Sequence, residues 1–278
     1  MPDANRTTHA FKKLDFVIVQ DMFMNETAEK FADVFLPCAS SFERDGTFMN
    51  AERRIQKVRK AIPVPSNVKP DWEIVCDVAV AMGRKELFSY STAQDIWNEI
   101  RTSWDAVYGI TYDRLENGGI QWPCPTTSHP GTTILHTESF PREGGKAKLS
   151  AVDYKPTPEQ ATPEYPFILV TGRELYHFNA GTMTYRTANE EICHSDLLHL
   201  NPEDANTLIV KDGDNVRVIS KYGETTLPVC IDAAIGKGEL FSTFNNNQVF
   251  VNKITSPLRD NYVQTPEYKI TAVRIEKI

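Results

Sequence analysis

The sequence lacks the motifs that usually mark a self-contained catalytic or metal-binding site. Its five cysteines are far apart and form no CxxC pair, which argues against a zinc knuckle or a cysteine-ligated iron–sulfur cluster built by this chain alone. It has no GxSxG, HExxH, GxxxxGK[ST] or GxGxxG motif. Three of its six histidines, at positions 177, 194 and 199, are not at a convincing metal-ligand spacing. We therefore predict neither catalytic nor metal-ligating residues in this chain.

Long apolar runs and excess positive charge are also missing. No apolar stretch approaches the roughly 20 residues that a membrane helix needs. The net charge of −7 argues against general binding to nucleic acids or anionic membranes, although residues 51–60, AERRIQKVRK, are locally basic. The first 13 residues lack the apolar middle of a signal peptide, and scattered cysteines suit a reducing compartment. We expect a cytoplasmic protein with no transmembrane segment and no nucleic-acid partner.

The first part of the chain has an α/β pattern. Residues 14–21, LDFVIVQD, are a nearly unbroken apolar run, which predicts a strand buried on both faces. Asn25 is a good N-cap for a helix over 25–32, and DVFLP at 33–37 is typical of a second strand. This order predicts parallel strands joined by a helix.

Residues 42–150 combine a hairpin, helices and irregular chain. Asp45-Gly46 predicts the turn of a hairpin within 42–62. Residues 69–83 predict an amphipathic helix that starts near Asp71 and ends near Gly83, with an apolar stripe of Ile74, Val75, Val78, Ala79 and Met82. Helical spacing over 90–117 involves Trp97, Ile100, Trp104 and Val107. Residues 117–146 are rich in Pro and Gly, which is typical of a linker or excursion.

From about residue 151 the pattern predicts a small β-barrel. Residues 165–172, YPFILVTG, indicate a strand that enters a glycine turn. Asn201–Pro202 predict the start of a short helix. The segments KDGDNVRVIS, TTLPVCI, GELFSTF and YKITAVRIEKI alternate apolar strands with turns.

The loop over residues 170–187, VTGRELYHFNAGTMTYRT, has more hydrogen-bonding capacity than a simple turn needs. Arg173 offers donors suited to phosphate or carboxylate, and Glu174 can accept N–H bonds from a purine or pterin edge. His177 can donate or accept, and Gly181 allows backbone N–H groups to approach a pyrophosphate. The alternative is a turn braced by an Arg–Glu pair.

Polar residues elsewhere in the sequence also allow both a ligand-binding and a purely structural interpretation. Asp21 follows a predicted strand, where an acid often holds a ribose or a purine N–H, but it could simply cap a helix. Arg44 and Asp71 could be a turn residue and a helix cap. The amides of residues 244–252, FNNNQVFVN, can contact base edges or simply form turns.

Taken together, these segments resemble the C-terminal portion of the large subunit of molybdopterin-dependent oxidoreductases, specifically formate dehydrogenases. The resemblance covers most of 14–83 and 165–278. It rests on the segments VIVQDMFMNETAEKFADVFLP, ERDGTFMNAERRIQ, KPDWEI, TGRELYHFNAGTMT, NPEDA with VKDGDNVRV, and VNKIT with TPEYKITAVRIEKI.

The resemblance implies the C-terminal part of a Rossmann-like α/β domain at 1–85, a connector at 86–150 and a double-psi β-barrel at 151–278. It implies a bis-molybdopterin guanine dinucleotide that carries molybdenum or tungsten. By motif position, one guanosine would meet Gln20 and Asp21, with Arg44 and Asp71 near the same nucleotide. The pterin and pyrophosphate of the other would lie against Arg173, Glu174, Leu175, His177, Gly181, Thr182, Phe244, Asn252, Tyr268 and Lys269.

The resemblance also implies formate oxidation or CO2 reduction, with partners that supply what this sequence lacks. Members of the family have a [4Fe–4S] domain, a metal-ligating cysteine or selenocysteine followed by histidine, and an active-site arginine. We expect these from an N-terminal half, either a missing segment or a separate chain, together with iron–sulfur electron-transfer subunits. A nitrate reductase or other molybdopterin enzyme, a non-catalytic cofactor carrier or scaffold, and a barrel without cofactor remain alternatives.

Overall fold

The computed structural model describes residues 3–278, which divide into two compact units. The first unit contains the N-terminal residues through Val17, Asn25–Phe31 and Asp153–Ile278, and the second contains Ile18–Met24 and Ala32–Val152. The helices are α1 (Ala4–Phe11), α2 (Glu26–Phe31), α3 (Asp71–Ala81), α4 (Ala93–Ser103), α5 (Asn189–Ile192) and α6 (Pro202–Leu208). The strands are β1 (Ile18–Asp21), β2 (Val34–Pro37), β3 (Gly46–Met49), β4 (Arg54–Val58), β5 (Ile120–Gln121), β6 (Phe167–Thr171), β7 (Leu198–Leu200), β8 (Asn215–Ser220), β9 (Glu224–Ile231), β10 (Glu239–Ser242) and β11 (Ile270–Lys277).

The predicted strand–helix–strand order at the start of the chain is confirmed. β1 and β2 are parallel, in register from Ile18 opposite Val34. The Asn25 side chain accepts hydrogen bonds from the backbone N–H groups of Thr27 at 3.0 Å and Ala28 at 3.1 Å. This side-chain cap satisfies two of the donors that the first turn of α2 would otherwise leave unpaired.

The prediction of a buried strand over 14–21 is wrong. Only its last four residues form β1, and Phe16 and Ile18 are 60% and 44% exposed. Within residues 3–278, β1 and β2 form a two-stranded sheet. Such a sheet leaves apolar side chains uncovered, because burial on both faces needs neighbouring strands and helices.

The predicted hairpin forms, but its turn does not lie at Asp45-Gly46. β3 and β4 are antiparallel, and β3 begins at Gly46. The turn is closed by Asn50, whose carbonyl accepts the Arg53 N–H at 3.0 Å, and Arg53 has a φ of 64°. Asp45 instead lies at the open end, where its side chain accepts the N–H of Lys60 at 2.9 Å.

The predicted helix over 69–83 is confirmed as α3, with Gly83 just beyond it at a φ of +73°. The predicted apolar stripe of this helix is only partly buried, because Ile74 and Ala79 are buried whereas Val75 and Met82 are exposed. The expected helical stretch 90–117 contains α4, which starts with a capping box at Thr92.

Residues 117–146, which we expected to be a linker or excursion, contribute strand β5, which pairs with β4. They also contribute Cys124 to a buried cluster of the second unit. Its other members are Ile55, Trp97, Val107, Ile110, Tyr112 and Leu115. Ile100 and Trp104, expected at helical spacing beside Trp97 and Val107, stay exposed.

The C-terminal strands form a closed six-stranded barrel in the order β10-β6-β11-β8-β9-β7, which confirms the predicted barrel. β6 with β10 and β7 with β9 pair in parallel, while the other neighbours are antiparallel. α6 begins with an Asn201 side-chain cap and Pro202 in its first turn, as predicted. The barrel core includes Leu169, Leu198, Leu200, Val216, Val218, Leu227, Leu240 and Val273, all nearly inaccessible to solvent.

Candidate functional site

Strand direction brings several polar segments to one end of the barrel. β6 and β10 are parallel and end at Thr171 and Ser242, while β11 is antiparallel to β6 and β7 is antiparallel to β10. The chain leaving β6 and β10 therefore meets the chain entering β7 and β11. We call this end the barrel rim and define it as residues 172–187, 193–197, 243–252 and 268–269.

Hydrogen bonds join the end of β6 to the two neighbouring strands at the rim. The Thr171 N–H donates to the carbonyl of Lys269 at 3.3 Å, and its hydroxyl donates to the carbonyl of Tyr268 at 3.1 Å. The Gly172 N–H donates to the carbonyl of Ser242 at 3.1 Å. The start of the polar loop is thus fixed from both neighbouring strands.

Gly181 occupies a position where no other residue would fit without movement. Its φ is +67°, and an added Cβ would lie 2.3 Å from the Tyr185 ring and 2.8 Å from the backbone oxygen of Asn245. A left-handed backbone and close approach of two segments both favour glycine. This geometry lets the loop close against the segment that follows β10.

His177 is 2% exposed and braces the loop from inside. Its Nε2 lies 2.5 Å from the carbonyl of Cys193, which can only accept, so Nε2 carries the proton. In the neutral ring Nδ1 then accepts from the Thr184 hydroxyl at 2.8 Å. The ring also stacks on Tyr185 with centroids 4.0 Å apart. Both ring nitrogens are therefore bonded within the protein.

Arg173, Leu175 and Thr182 lie on the outside of this loop. Arg173 is exposed and donates to the Asn179 side chain at 2.6 Å, so it does not form the simple Arg–Glu brace. Leu175 is almost fully exposed, and Thr182 is half-buried with its carbonyl accepting from Arg186.

Glu174 is directed toward the barrel wall. Its Oε1 lies 3.4 Å from Nε2 of His199, close enough for an ionic contact but not aligned for a hydrogen bond, and Nε2 is buried without a hydrogen-bond partner. The other ring nitrogen of His199 lies 3.2 Å from Asp232. The Cys193 thiol donates to Glu174 at 3.5 Å, and burial together with this carboxylate raises the pKa of Cys193 to about 11. The thiol is therefore protonated at neutral pH.

The remaining predicted rim residues follow β10 or precede β11. The rings of Phe244 and Tyr268 pack edge to face, with centroids 5.8 Å apart. Lys269 is exposed. Asn252 has a buried side-chain oxygen with no hydrogen-bond partner in the described chain. An unpaired buried acceptor is unfavourable, and a ligand N–H would satisfy it.

Sequence reasoning missed Asp196, which is fully buried in the rim. One of its oxygens accepts from the Thr243 hydroxyl and from the Asn245 N–H at 3.3 Å, and the other from the Asn246 N–H at 3.0 Å. The sequence shows the amide-rich segment 244–252, but no sequence pattern indicates which carboxylate anchors this segment.

In the second unit, three of the predicted residues meet at the start of α3. Gln20 donates to the carboxylate of Asp71 at 2.8 Å, and Arg44 forms an ion pair with the other oxygen of that carboxylate. The Arg44 and Asp71 side chains are 25% and 41% exposed. Asp21 follows Gln20 at the end of β1, and its side chain accepts the N–H of Phe23 at 2.9 Å. We call Gln20, Arg44 and Asp71 the Asp71 cluster.

An open cavity of about 690 Å³ borders Arg44 and the basic end of β4. Its lining includes Lys57, Arg59 and the Trp72 ring. Lys57 and Arg59 both pair with Glu116, whose pKa they lower to about 2. Within the basic segment 51–60, Lys57, Arg59 and Arg54 thus pair with carboxylates, whereas Arg53 donates to backbone carbonyls.

Two features are absent from residues 3–278. No helix there is both long and apolar enough to span a bilayer. No group of three or more His, Cys, Asp and Glu side chains is arranged to hold a metal ion.

The donors and acceptors of the rim fit a large polar, anionic ligand. Arg173 and Lys269 provide exposed positive charge, and Asn252 holds an unpaired acceptor. Such a mixture suits a dinucleotide better than a small apolar molecule.

Comparison with known proteins supports this assessment. The sequence matches the family described as Molybdopterin oxidoreductase over residues 1–81 and that described as Molydopterin dinucleotide binding domain over 167–272. It is 43% identical over 279 residues to the F420-dependent formate dehydrogenase subunit alpha of Methanocaldococcus jannaschii, covering 100% of this chain and 41% of that protein. It is 37% identical over 283 residues to the assimilatory nitrate reductase catalytic subunit of Bacillus subtilis, covering 99% of this chain and 40% of that protein.

The fold also matches a solved structure. Acetylene hydratase from Pelobacter acetylenicus superposes with a TM-score of 0.75 at 17% sequence identity, over 100% of this chain and 42% of that protein. This likeness supports the fold. The chain spans about two fifths of the length of the curated relatives that it matches. The resemblance inferred from the sequence is confirmed, and the chain belongs to the molybdopterin oxidoreductase family.

Proposed function

We propose that this chain holds a bis-molybdopterin guanine dinucleotide in a formate dehydrogenase that interconverts formate and CO2. The observation that carries the proposal is the meeting of four polar segments at the barrel rim, where Asn252 retains an unpaired buried acceptor. The identity to formate dehydrogenase alpha subunits over the whole chain supports the choice of reaction.

The rim residues would bind and orient the cofactor. Arg173 and Lys269 offset phosphate charge. Gly181, expected to admit the pyrophosphate, instead closes the loop against the segment that follows β10 and so supports the position of Arg173. Asn252 accepts an N–H from the ligand, while Glu174, held between His199 and Cys193, accepts from the pterin edge. When bound, the cofactor supplies the metal centre for two-electron redox chemistry.

Other predicted residues have supporting roles in this proposal. His177 keeps the loop in shape, because both of its ring nitrogens are bonded to protein. Leu175 and Thr182 line the outside of the loop, and the packed rings of Phe244 and Tyr268 form an apolar side.

The Asp71 cluster, together with Asp21, would contact the guanosine of one nucleotide. The Asp71 carboxylate binds both Gln20 and Arg44, which fixes an amide and a guanidinium side by side. Amide and guanidinium groups suit the polar edges of a guanine and its ribose.

The proposal requires further polypeptide, so this chain would not be active alone. The metal-ligating cysteine or selenocysteine and the [4Fe–4S] cluster would come from an N-terminal half, and iron–sulfur subunits would carry the electrons. The metal would be molybdenum or tungsten.

The free state of all five cysteines agrees with a cytoplasmic location. Domain boundaries near residues 85 and 150 remain predictions that limited proteolysis would test.

The direct test is to purify the complex that contains this chain and measure molybdenum, tungsten and guanine dinucleotide. We expect one of the two metals, about two nucleotides per metal for a bis-dinucleotide cofactor, and formate-dependent electron transfer. A complex that lacks pterin would contradict the proposal.

A variant at the rim sharpens this test. Lys269→Ala is expected to lower bound cofactor while leaving the melting temperature nearly unchanged, because the side chain is exposed. Lys221→Ala, at an exposed lysine in the turn between β8 and β9, is the control. Full metal occupancy in Lys269→Ala would count against this assignment.

A nitrate reductase is the second candidate, since the nitrate reductase subunit of Bacillus subtilis is 37% identical over nearly the whole chain. Assays of the same purified complex with formate and with nitrate would separate the two. Cofactor without either activity would favour a carrier or scaffold.

A further inference from the structure

Asp196 is the buried centre of the barrel rim. It precedes β7 and is inaccessible to solvent, yet its carboxylate has three donors from the segment that follows β10. These are the Thr243 hydroxyl and the backbone N–H groups of Asn245 and Asn246. Two of the three are backbone groups, so the carboxylate fixes the path of the chain itself.

The segment held by Asp196 in turn shapes the polar loop after β6. Asn245 accepts a hydrogen bond from the Tyr185 hydroxyl at 3.1 Å, and its backbone oxygen closes on Gly181. Tyr185 stacks on His177. One carboxylate therefore connects, through Asn245, to the loop on which Arg173 and Glu174 lie.

Asn246 extends the same arrangement toward Asn252. Its side chain donates to the carbonyl of His194 at 3.1 Å and accepts the N–H of Gln248 at 2.8 Å. Its backbone oxygen accepts the N–H of Phe250 at 2.9 Å. The segment that presents Asn252 is thus built on a residue that Asp196 holds.

We propose that Asp196 is a positioning residue for the dinucleotide cofactor, which sets the rim segments at the spacing that the ligand needs without touching it. This inference rests on the proposed function. It assigns to Asp196 a role in cofactor retention that goes beyond the stability of the barrel.

Charge makes the carboxylate difficult to replace. A buried carboxylate is tolerated because it accepts from three donors, and an amide in its place would direct its N–H₂ group toward at least one backbone N–H, which can only donate. Burial raises the pKa of Asp196, and the bonds from Thr243 and the two backbone N–H groups oppose that rise. Asparagine retains the shape of aspartate, so Asp196→Asn tests the charge and acceptor alone.

The test uses the whole enzyme complex with Asp196→Asn and follows the loss of pterin and guanine dinucleotide after gel filtration. We expect release at least about tenfold faster than from the wild type, the size of effect expected when hydrogen bonds to a charged group are lost. Asp204→Asn is the matched control. Asp204 is also buried and accepts the N–H of Gly238 at 2.7 Å, but Gly238 precedes β10, at the end of the barrel away from the rim.

Release is measured at a temperature where both variants remain folded by circular dichroism. Faster release from Asp196→Asn alone supports the proposal. Equal release from both variants, or wild-type retention in Asp196→Asn, overturns it. A wild-type complex that contains no pterin overturns the proposed function and this inference together, which distinguishes the two failures.

A pair of variants at Thr243 tests the same contact without changing the buried charge. Thr243→Ser keeps the hydroxyl that donates to Asp196, whereas Thr243→Val keeps the shape and removes the donor. We expect wild-type retention in the first and faster release in the second. Equal behaviour of the two would overturn the proposal even if Asp196→Asn does not fold.

Discussion

The barrel rim and the Asp71 cluster are built in different ways. In the rim, His177 and Asp196 are almost completely buried, and backbone carbonyls and N–H groups supply many of their partners. In the cluster, Gln20, Arg44 and Asp71 bond through side chains that remain partly exposed.

This difference separates a preformed site from an adjustable one. The rim geometry follows from folding, because burial makes an unpaired group there unfavourable. A partly exposed ion pair contributes only about 0–1 kcal/mol to stability and can rearrange at little cost. Substitutions of buried rim residues should therefore change stability and cofactor binding together, whereas substitutions in the cluster should change mainly binding.

Gly181→Ala should have the largest effect. A Cβ at φ +67° would collide with Tyr185 and with the backbone oxygen of Asn245. Strain of this kind is typically about 1–3 kcal/mol. We expect a melting temperature lower by about 3–10 °C and loss of most bound pterin, measured by thermal denaturation and pterin release.

Gly213→Ala is the control for this substitution, because Gly213 also has a positive φ, +81°, but open space around its Cβ position. It should show the smaller cost of the left-handed backbone, about 1–2 kcal/mol, and normal cofactor content. Equal cofactor loss in the two variants would show that barrel stability, and not rim geometry, governs binding.

Much of the fold could be predicted because its signals are local. Asn25 and Asn201 cap helices through bonds to residues two or three positions ahead, and the strands of the barrel show alternating apolar residues. The hairpin turn was misplaced because Asp45-Gly46 has the composition of a turn, whereas the turn that forms uses Asn50 and Arg53.

The candidate site could be predicted only in part, because some of its contacts join residues far apart along the chain. The family motifs indicated Arg173, Glu174 and Gly181, which the structure places in one loop. Asp196 escaped notice because its partners lie 47 to 50 positions away along the chain. Contacts of that kind depend on which strands become neighbours, and no local pattern records them.

Asp71→Asn should have an intermediate effect, mainly on cofactor binding. It removes the charge that pairs with Arg44 and weakens the acceptor for Gln20. We expect a free energy of unfolding lower by about 1 kcal/mol or less and bound guanine dinucleotide lower by about three- to tenfold. Asp77→Asn, also on α3, breaks the exposed pair with Lys69, which precedes the helix, and this variant should match the stability of Asp71→Asn and retain cofactor. Similar cofactor loss in both variants would contradict the guanosine assignment.

The smallest effect should be a pH dependence confined to the second unit. Bonds from Lys57 and Arg59 lower the pKa of Glu116 from 4.5 to about 2, so its stabilising contribution is present above pH 4.5 and is lost as the pH falls through about 2. All four tryptophans, at positions 72, 97, 104 and 122, lie in this unit, so their fluorescence in urea reports its unfolding alone. Glu116→Gln should flatten the loss of stability over this pH range, whereas Glu86→Gln, at an exposed turn, should not. Parallel curves for Glu116→Gln and wild type would mean that the basic end of β4 is not held by this carboxylate.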